Sequence, residues 1–139
     1  MKFLLRKENI NKGFDMGQKS KVLIVEDEII ISMLYKSKLD KMGYHVFKPV
    51  ETGEMSIEAV KENSPDLILM DICLGPGIDG VDAAKEILSI NKGIKIIFVS
   101  GYGDDSTLKR IKELGNYQLV AKPVSLNRLM EIIEDEMSH

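Results

Sequence analysis

The chain is short of the features that mark several protein classes. It has a single cysteine, Cys73, in 139 residues, so no intramolecular disulfide framework is available and the composition suits a reducing compartment. It has only 4 prolines and 11 glycines beside 44% hydrophobic residues, which excludes a collagen-like or wholly disordered chain. No apolar run comes near the ~18 residues that cross a bilayer as a helix. At the amino end the only apolar block is Phe3-Leu4-Leu5, too short for the core of a signal peptide. Internal repeats and low-complexity stretches are also missing. The remainder is a chain of one-domain length that can bury its own core, expected to be cytoplasmic and free of the membrane.

The net charge of −3 is unevenly spread. Residues 1–20 hold five basic and two acidic side chains, and the rest holds 14 and 20. So acidic a body argues against nucleic acid as a partner. Residues 1–19 read as a basic N-terminal extension, a frayed and solvated tail. Met16 is an alternative start to Met1, because the patterned sequence opens only at Lys21.

Short, β-branched apolar runs recur at 22–25, 44–47, 67–70, 96–99 and 118–121. They are nearly continuous rather than alternating, as strands buried on both faces of a parallel sheet are. Helical periodicity fills the gaps. Ile31, Leu34, Leu39 and Met42 share one stripe, ended by Gly43. A second helix runs from Thr52 to about Asn63 with Ile57 and Val60 inward. A third covers Gly80 to Ile90 with Val81, Ala84 and Leu88 inward. A fourth follows Asp104 or Asp105 as N-cap, with Leu108 and Ile111 inward, and the last opens at Ser125 with Leu126, Leu129, Met130 and Ile133 inward. Strand then helix, five times over, predicts an α/β, doubly wound parallel sheet with helices on both faces. Such sheets place ligands at the carboxyl ends of their strands.

Those ends carry Glu26, Asp27 and Glu28 after the first strand, Asp71 after the third, Ser100 after the fourth and Lys122-Pro123 after the fifth. Clustered carboxylates repel one another, by roughly 4 kcal/mol per pair at 4 Å in an effective dielectric near 20. A divalent cation among them relieves this, and hard oxygen donors suit Mg²⁺ or Mn²⁺. A carboxylate beside such a cation can attack phosphorus. An ammonium and a hydroxyl then complete a cradle for phosphoryl oxygens. Glu26 and Asp27 fit the ligand role, Asp71 the nucleophile, Ser100 the donor and Lys122 the cation. Glu28 reads as a first-turn helix residue only. His45 and His139 lack companions at ligand spacing.

Val22-Leu-Ile-Val-Glu-Asp-Glu28, Asp66-Leu-Ile-Leu-Met-Asp71, Asp79-Gly80, Val99-Ser-Gly101 and Ala121-Lys-Pro123 together resemble the receiver domain of two-component response regulators, over residues 20–138. That resemblance implies a flavodoxin-like receiver fold of five parallel strands in the order 2-1-3-4-5. It implies phosphoryl acceptance on Asp71 from a sensor histidine kinase, a histidine phosphotransfer protein or a small donor such as acetyl phosphate. It implies Mg²⁺ held by Glu26, Asp27, Asp71 and the main-chain carbonyl of Cys73, phosphoryl contacts from Ser100 and Lys122, and a cis Lys122–Pro123 bond.

Three places depart from the family pattern. Leu119 stands where the family has its switch aromatic, with Tyr117 two residues earlier, so signalling is expected through backbone shifts near Ser100 and the fourth helix. The loop after Asp71 is one residue longer and carries Gly75-Pro76-Gly77, where glycines permit positive-φ turns. Tyr102 should shield the phosphoryl group from water and slow its hydrolysis.

The expected function is a stand-alone receiver, not an enzyme beyond its own phosphorylation and dephosphorylation. It would signal to a downstream effector protein by contact, as a monomer or a phosphorylation-dependent homodimer. The fourth helix, last strand and last helix, with Lys109, Arg110 and Arg128, form the expected docking surface. The alternative is a relay intermediate that hands its phosphoryl to a histidine phosphotransfer protein. An aspartate-nucleophile phosphatase is remote, because those enzymes need an acid two residues after the nucleophile and this chain has Cys73 there.

Overall fold

The computed structural model describes residues 19–101 and 103–138. The expectations for residues 1–18, for Met16 as a start, for Tyr102 and for His139 lie outside the described residues. Ten elements alternate: β1 (Lys21–Val25), α1 (Ile29–Lys41), β2 (His45–Val46), α2 (Gly53–Glu62), β3 (Leu67–Asp71), α3 (Gly80–Ile90), β4 (Lys95–Ser100), α4 (Asp105–Leu114), β5 (Gln118–Ala121) and α5 (Leu126–Met137). The five strands form one parallel sheet in the order β2-β1-β3-β4-β5, as the resemblance implied.

Strand residues alternate between two cores because side chains along a strand point to opposite faces. Leu23, Val25, Ile68, Met70, Ile96 and Phe98 face α2, α3 and α4. Val22, Ile24, Leu67, Leu69, Ile97 and Val99 face α1 and α5. Both sets are buried, which explains why the strands read as unbroken apolar runs. A side chain such as Leu23 or Ile97, at most 1% exposed, contributes ~1.5–3 kcal/mol through burial.

Four helices open on side-chain caps. Thr52, Asp79, Asp104 and Ser125 accept from the backbone N–H of Met55, Asp82, Thr107 and Arg128. Asp104, not Asp105, is therefore the cap of α4.

Two inward stripes differ from expectation. In α1, Ile31, Leu39 and Met42 face the core as expected and are joined by buried Ser32 and Tyr35, whereas Leu34 is 52% exposed. Apolar residues at 29, 30, 31, 33 and 34 surround the first turns, so hydrophobicity gives that end no direction. Packing selects the 32-35-39 face, and Ser32 is accommodated because its hydroxyl donates to the Ile29 carbonyl at 2.9 Å. In α4 only Ile111 is buried, and Leu108 is 37% exposed. β2 is also shorter than the 44–47 run, and Val50 forms a separate parallel bridge to Val25.

Gly80 sets how closely α3 meets the end of β3. Its N–H donates to the Ile72 carbonyl at 2.9 Å. A Cβ there would lie 2.3 Å from the Asp71 carbonyl oxygen and 2.9 Å from the Ile72 Cα. Gly80→Ala should therefore destabilise the fold by ~1–3 kcal/mol, the range for overpacking, despite alanine's better helix propensity. A urea midpoint equal to wild type would show that α3 can back away at no cost.

Candidate active site

The carboxyl ends of β1, β3, β4 and β5 meet at one edge. Glu26 follows β1 directly and is 3% exposed. Its N–H donates to the Val50 carbonyl at 3.0 Å, and its Oε2 accepts from the Glu28 N–H at 3.1 Å. These bonds turn the carboxylate inward while Asp27 stays at the surface. Asp71 closes β3 at 6% exposure, and its Oδ1 accepts from the Cys73 N–H at 3.3 Å. Lys122, just past β5, brings its Nζ to 3.2 Å from Glu26 Oε1 and 3.4 Å from Asp71 Oδ2.

Glu26, Asp27 and Asp71 each present a carboxylate oxygen within 4.8 Å of the other two. Ser100 ends β4 at 2% exposure, in register with Ala121, and its carbonyl accepts from the Lys122 N–H at 2.8 Å. The hydroxyl and the amine thus belong to one hydrogen-bonded sheet edge. The Lys122–Pro123 bond is cis, as expected. Glu26, Asp27, Asp71 and Lys122 thus converge here, and Ser100 ends the adjoining strand of the same edge.

The response regulator receiver domain family matches residues 22–134. The chain belongs to that family. It is 35% identical to "Chemotaxis protein CheY" of Bacillus subtilis over 85% of this chain and 98% of that protein. It is 31% identical to "Sporulation initiation phosphotransferase F" of the same organism, over 82% of this chain and 90% of that one. Among solved structures, the CheY-like response regulator receiver domain protein of Methanospirillum hungatei aligns with a TM-score of 0.82 at 26% identity. That alignment covers 87% of this chain and 95% of that one. Receivers are the phosphorylation-controlled signalling domains of two-component systems and interact with histidine kinases and phosphotransfer proteins.

Burial and mutual proximity shift the titration of the receiver's site. Burial pushes the Glu26 carboxyl up to about 7; the Glu28 N–H opposes this and the Asp71 charge adds to it. Burial also raises Asp71, against the pull of Lys122. Burial works against the Lys122 charge, yet Asp71 and Glu26 hold its ammonium above the ordinary value. Three clustered carboxylates, two of them paired with one lysine, form an all-oxygen donor set. That set fits Mg²⁺ or Mn²⁺.

The receiver's β3–α3 loop is built around its glycines. Gly75 and Gly77 adopt φ +78° and +102°, as the longer loop anticipated. A Cβ on Gly75 would lie 3.8 Å from Asp27 Oδ2, so the loop passes close to the acids. Its far side is held by Glu54 of α2, which accepts from the Ile78 N–H at 3.1 Å. Cys73 is exposed on this loop.

Of the three basic residues expected on the docking surface, two are paired with acids. Arg110 forks onto Asp79 at 2.8 and 2.8 Å and reaches Asp82 at 3.0 Å. Arg128 pairs with Glu131 on its own helix at 3.3 Å. Leu119 is half-buried, and Tyr117 stands edge-on to Phe98 with centroids 6.4 Å apart.

Sequence reasoning missed Tyr35, which lines a depression with Ile31, Lys122, Pro123 and Val124. Burial raises its hydroxyl pKa, and Lys122, Glu26 and Asp71 all act on it. It also missed Glu54 and the Arg110 fork, for which sequence spacing carries no signal. Among the described residues no helix is long and apolar enough to cross a membrane.

Proposed function

We propose that this receiver is a Mg²⁺-dependent phosphoryl acceptor whose nucleophile is Asp71, charged from a phosphohistidine on a partner kinase or phosphotransfer protein. The observation that carries this reading is the buried Asp71 carboxylate, within 4.8 Å of two further carboxylates and 3.4 Å from Lys122 Nζ. An Asp71 oxygen attacks phosphorus, the P–N bond breaks and its electron pair returns to the donor's imidazole, leaving an aspartyl phosphate. Lys122 neutralises charge on the transferring oxygens and Ser100 donates a hydrogen bond to one of them. Glu26, Asp27, Asp71 and the Cys73 carbonyl would hold the cation, which when bound offsets the negative charge shared by site and phosphoryl group.

A protein donor must cover the acidic edge to reach Asp71. That edge is bordered by the first turns of α1, where Ile29, Ile30, Met33 and Leu34 are 57%, 83%, 61% and 52% exposed. We assign this apolar face to the histidine-bearing donor. The signal then leaves by contact with an effector, as a phosphorylation-shifted equilibrium of the switch. A relay role, with the phosphoryl passed on to a second histidine, is supported by the similarity to Sporulation initiation phosphotransferase F.

The test compares donors. Acetyl phosphate with Mg²⁺ should add the mass of one phosphoryl group, and excess EDTA should prevent it. Ile30→Glu should slow transfer from a phosphorylated histidine protein about tenfold, yet leave labelling by acetyl phosphate intact. Labelling that persists in EDTA would refute the cation's role, and equal slowing with both donors would refute the docking face. Chasing the labelled chain with histidine proteins separates the relay from the terminal switch.

A further inference from the structure

We propose that Arg110 is a positioning residue that ties α4 to the phosphoacceptor loop, so that a change at Asp71 is carried to α4 through Asp79. The inference rests on Asp71 being the phosphoacceptor and adds how the signal leaves it.

The connection can be followed atom by atom. Asp79 is shared by two elements. Its Oδ1 accepts from the Asp82 N–H at 2.9 Å and so caps α3, while both its oxygens accept from the Arg110 guanidinium of α4 at 2.8 Å. A guanidinium that engages a carboxylate through two nitrogens fixes orientation as well as distance, which a single point charge does not. Burial works against the Asp79 charge, but Arg110 and the α3 backbone hold its carboxyl below the ordinary value.

The residue after Asp79 is Gly80, whose N–H is bonded to the Ile72 carbonyl and whose backbone abuts Asp71 too closely to admit a Cβ. Asp71, Ile72, Gly80, Asp79 and Arg110 therefore form a contiguous chain of short contacts from the acceptor strand to α4. On its other side the loop is tied to α2, where Glu54 accepts from the Ile78 N–H at 3.1 Å.

The competing route through a buried aromatic is weak here. Leu119 has no ring to rotate, and Tyr117 is only partly buried and packs edge-on against Phe98 at the margin of the core. Among the described residues the fork on Asp79 is a direct polar link between the end of the β3–α3 loop and α4.

The experiment uses the full chain, with beryllofluoride and Mg²⁺ as the phosphoryl mimic, and reads amide hydrogen exchange across 105–114. Wild type should change its α4 exchange rates by roughly fivefold or more on binding the mimic, the lower end of ordinary coupling. Arg110→Ala should cut that response to under about twofold while acetyl phosphate still labels Asp71. Arg110→Lys, which keeps the charge but loses the fork, should recover part of the response and serves as the folded variant if the alanine form is unstable. An α4 response in both variants equal to wild type overturns the inference. So does loss of Asp71 labelling in both, since Arg110 would then act on the chemistry. A wild-type chain that acetyl phosphate does not label overturns the phosphoacceptor reading itself, and is told apart by that result.

Discussion

Asp71→Asn should yield no phosphorylated protein with acetyl phosphate or with a phosphohistidine donor. The amide keeps the size and the hydrogen-bonding shape of the side chain, so the Cys73 N–H retains an acceptor. It lacks the anionic oxygen that attacks phosphorus, and no neighbour can substitute. Glu26 is tied to Lys122 and to the Glu28 N–H, and Asp27 lies on the exposed side of the cluster. The loss should therefore be total in intact-mass measurement rather than partial.

Folding should respond in the opposite direction. An acid whose folded pKa is raised contributes stability that is complete below its unfolded pKa and is lost as pH rises through the folded value. Asp71 is raised, burial being the main cause. At neutral pH without a cation, the uncharged Asn should thus be at least as stable as Asp. A lower urea midpoint in EDTA would show that the Lys122 contact outweighs the cost of burying the carboxylate. Persistent labelling at another residue would refute the assignment of the nucleophile.

The candidate site was largely legible because of how a parallel sheet is wired. Every strand runs the same way, so the residue after each apolar run lands on one edge, and reading strand ends is equivalent to reading a surface. That is why Glu26, Asp27, Asp71, Ser100 and Lys122, spread over 97 positions, were found together. Features between elements were not legible for the same physical reason in reverse. Arg110 could pair with any of several surface acids, and only the tertiary placement of α4 beside the start of α3 brings it to Asp79 and Asp82. In α1 the exposure of Leu34 was hidden because apolar residues occupy most positions of its first two turns, though Ile31, Leu39 and Met42 do face the core. The face left to solvent there is the one we assign to a donor, so the misplaced Leu34 and the functional surface have one origin.

Lys122→Met should lower the rate of phosphorylation by about 10²–10³-fold, the usual consequence of removing one charge stabiliser from a preorganised site. Met is close in length and apolar, so it can fill the same place beside the depression that Lys122 lines with Tyr35 and Pro123, and the change isolates the ammonium. The pH dependence supplies an independent check. Burial already pushes Glu26 from an ordinary 4.5 up to about 7, and Lys122 is one of the groups that restrains the rise. Without it both Glu26 and Asp71 move higher. By the rule that applies to raised acids, the cation-free wild type should lose stability as pH rises from about 4.5 through about 7, by on the order of 1–3 kcal/mol. In Lys122→Met the loss should be steeper and extend to higher pH. Saturating Mg²⁺ should flatten or reverse the trend in wild type, because a cation that binds ionised carboxylates stabilises the fold more as they deprotonate. Urea midpoints measured at about pH 5 and about pH 8, with Mg²⁺ or with EDTA, decide the matter. A flat profile in EDTA for both proteins would mean that Glu26 is ionised throughout and the shifted titration inferred at this edge does not exist. Wild-type labelling rates in Lys122→Met would mean that the ammonium takes no part in the transfer.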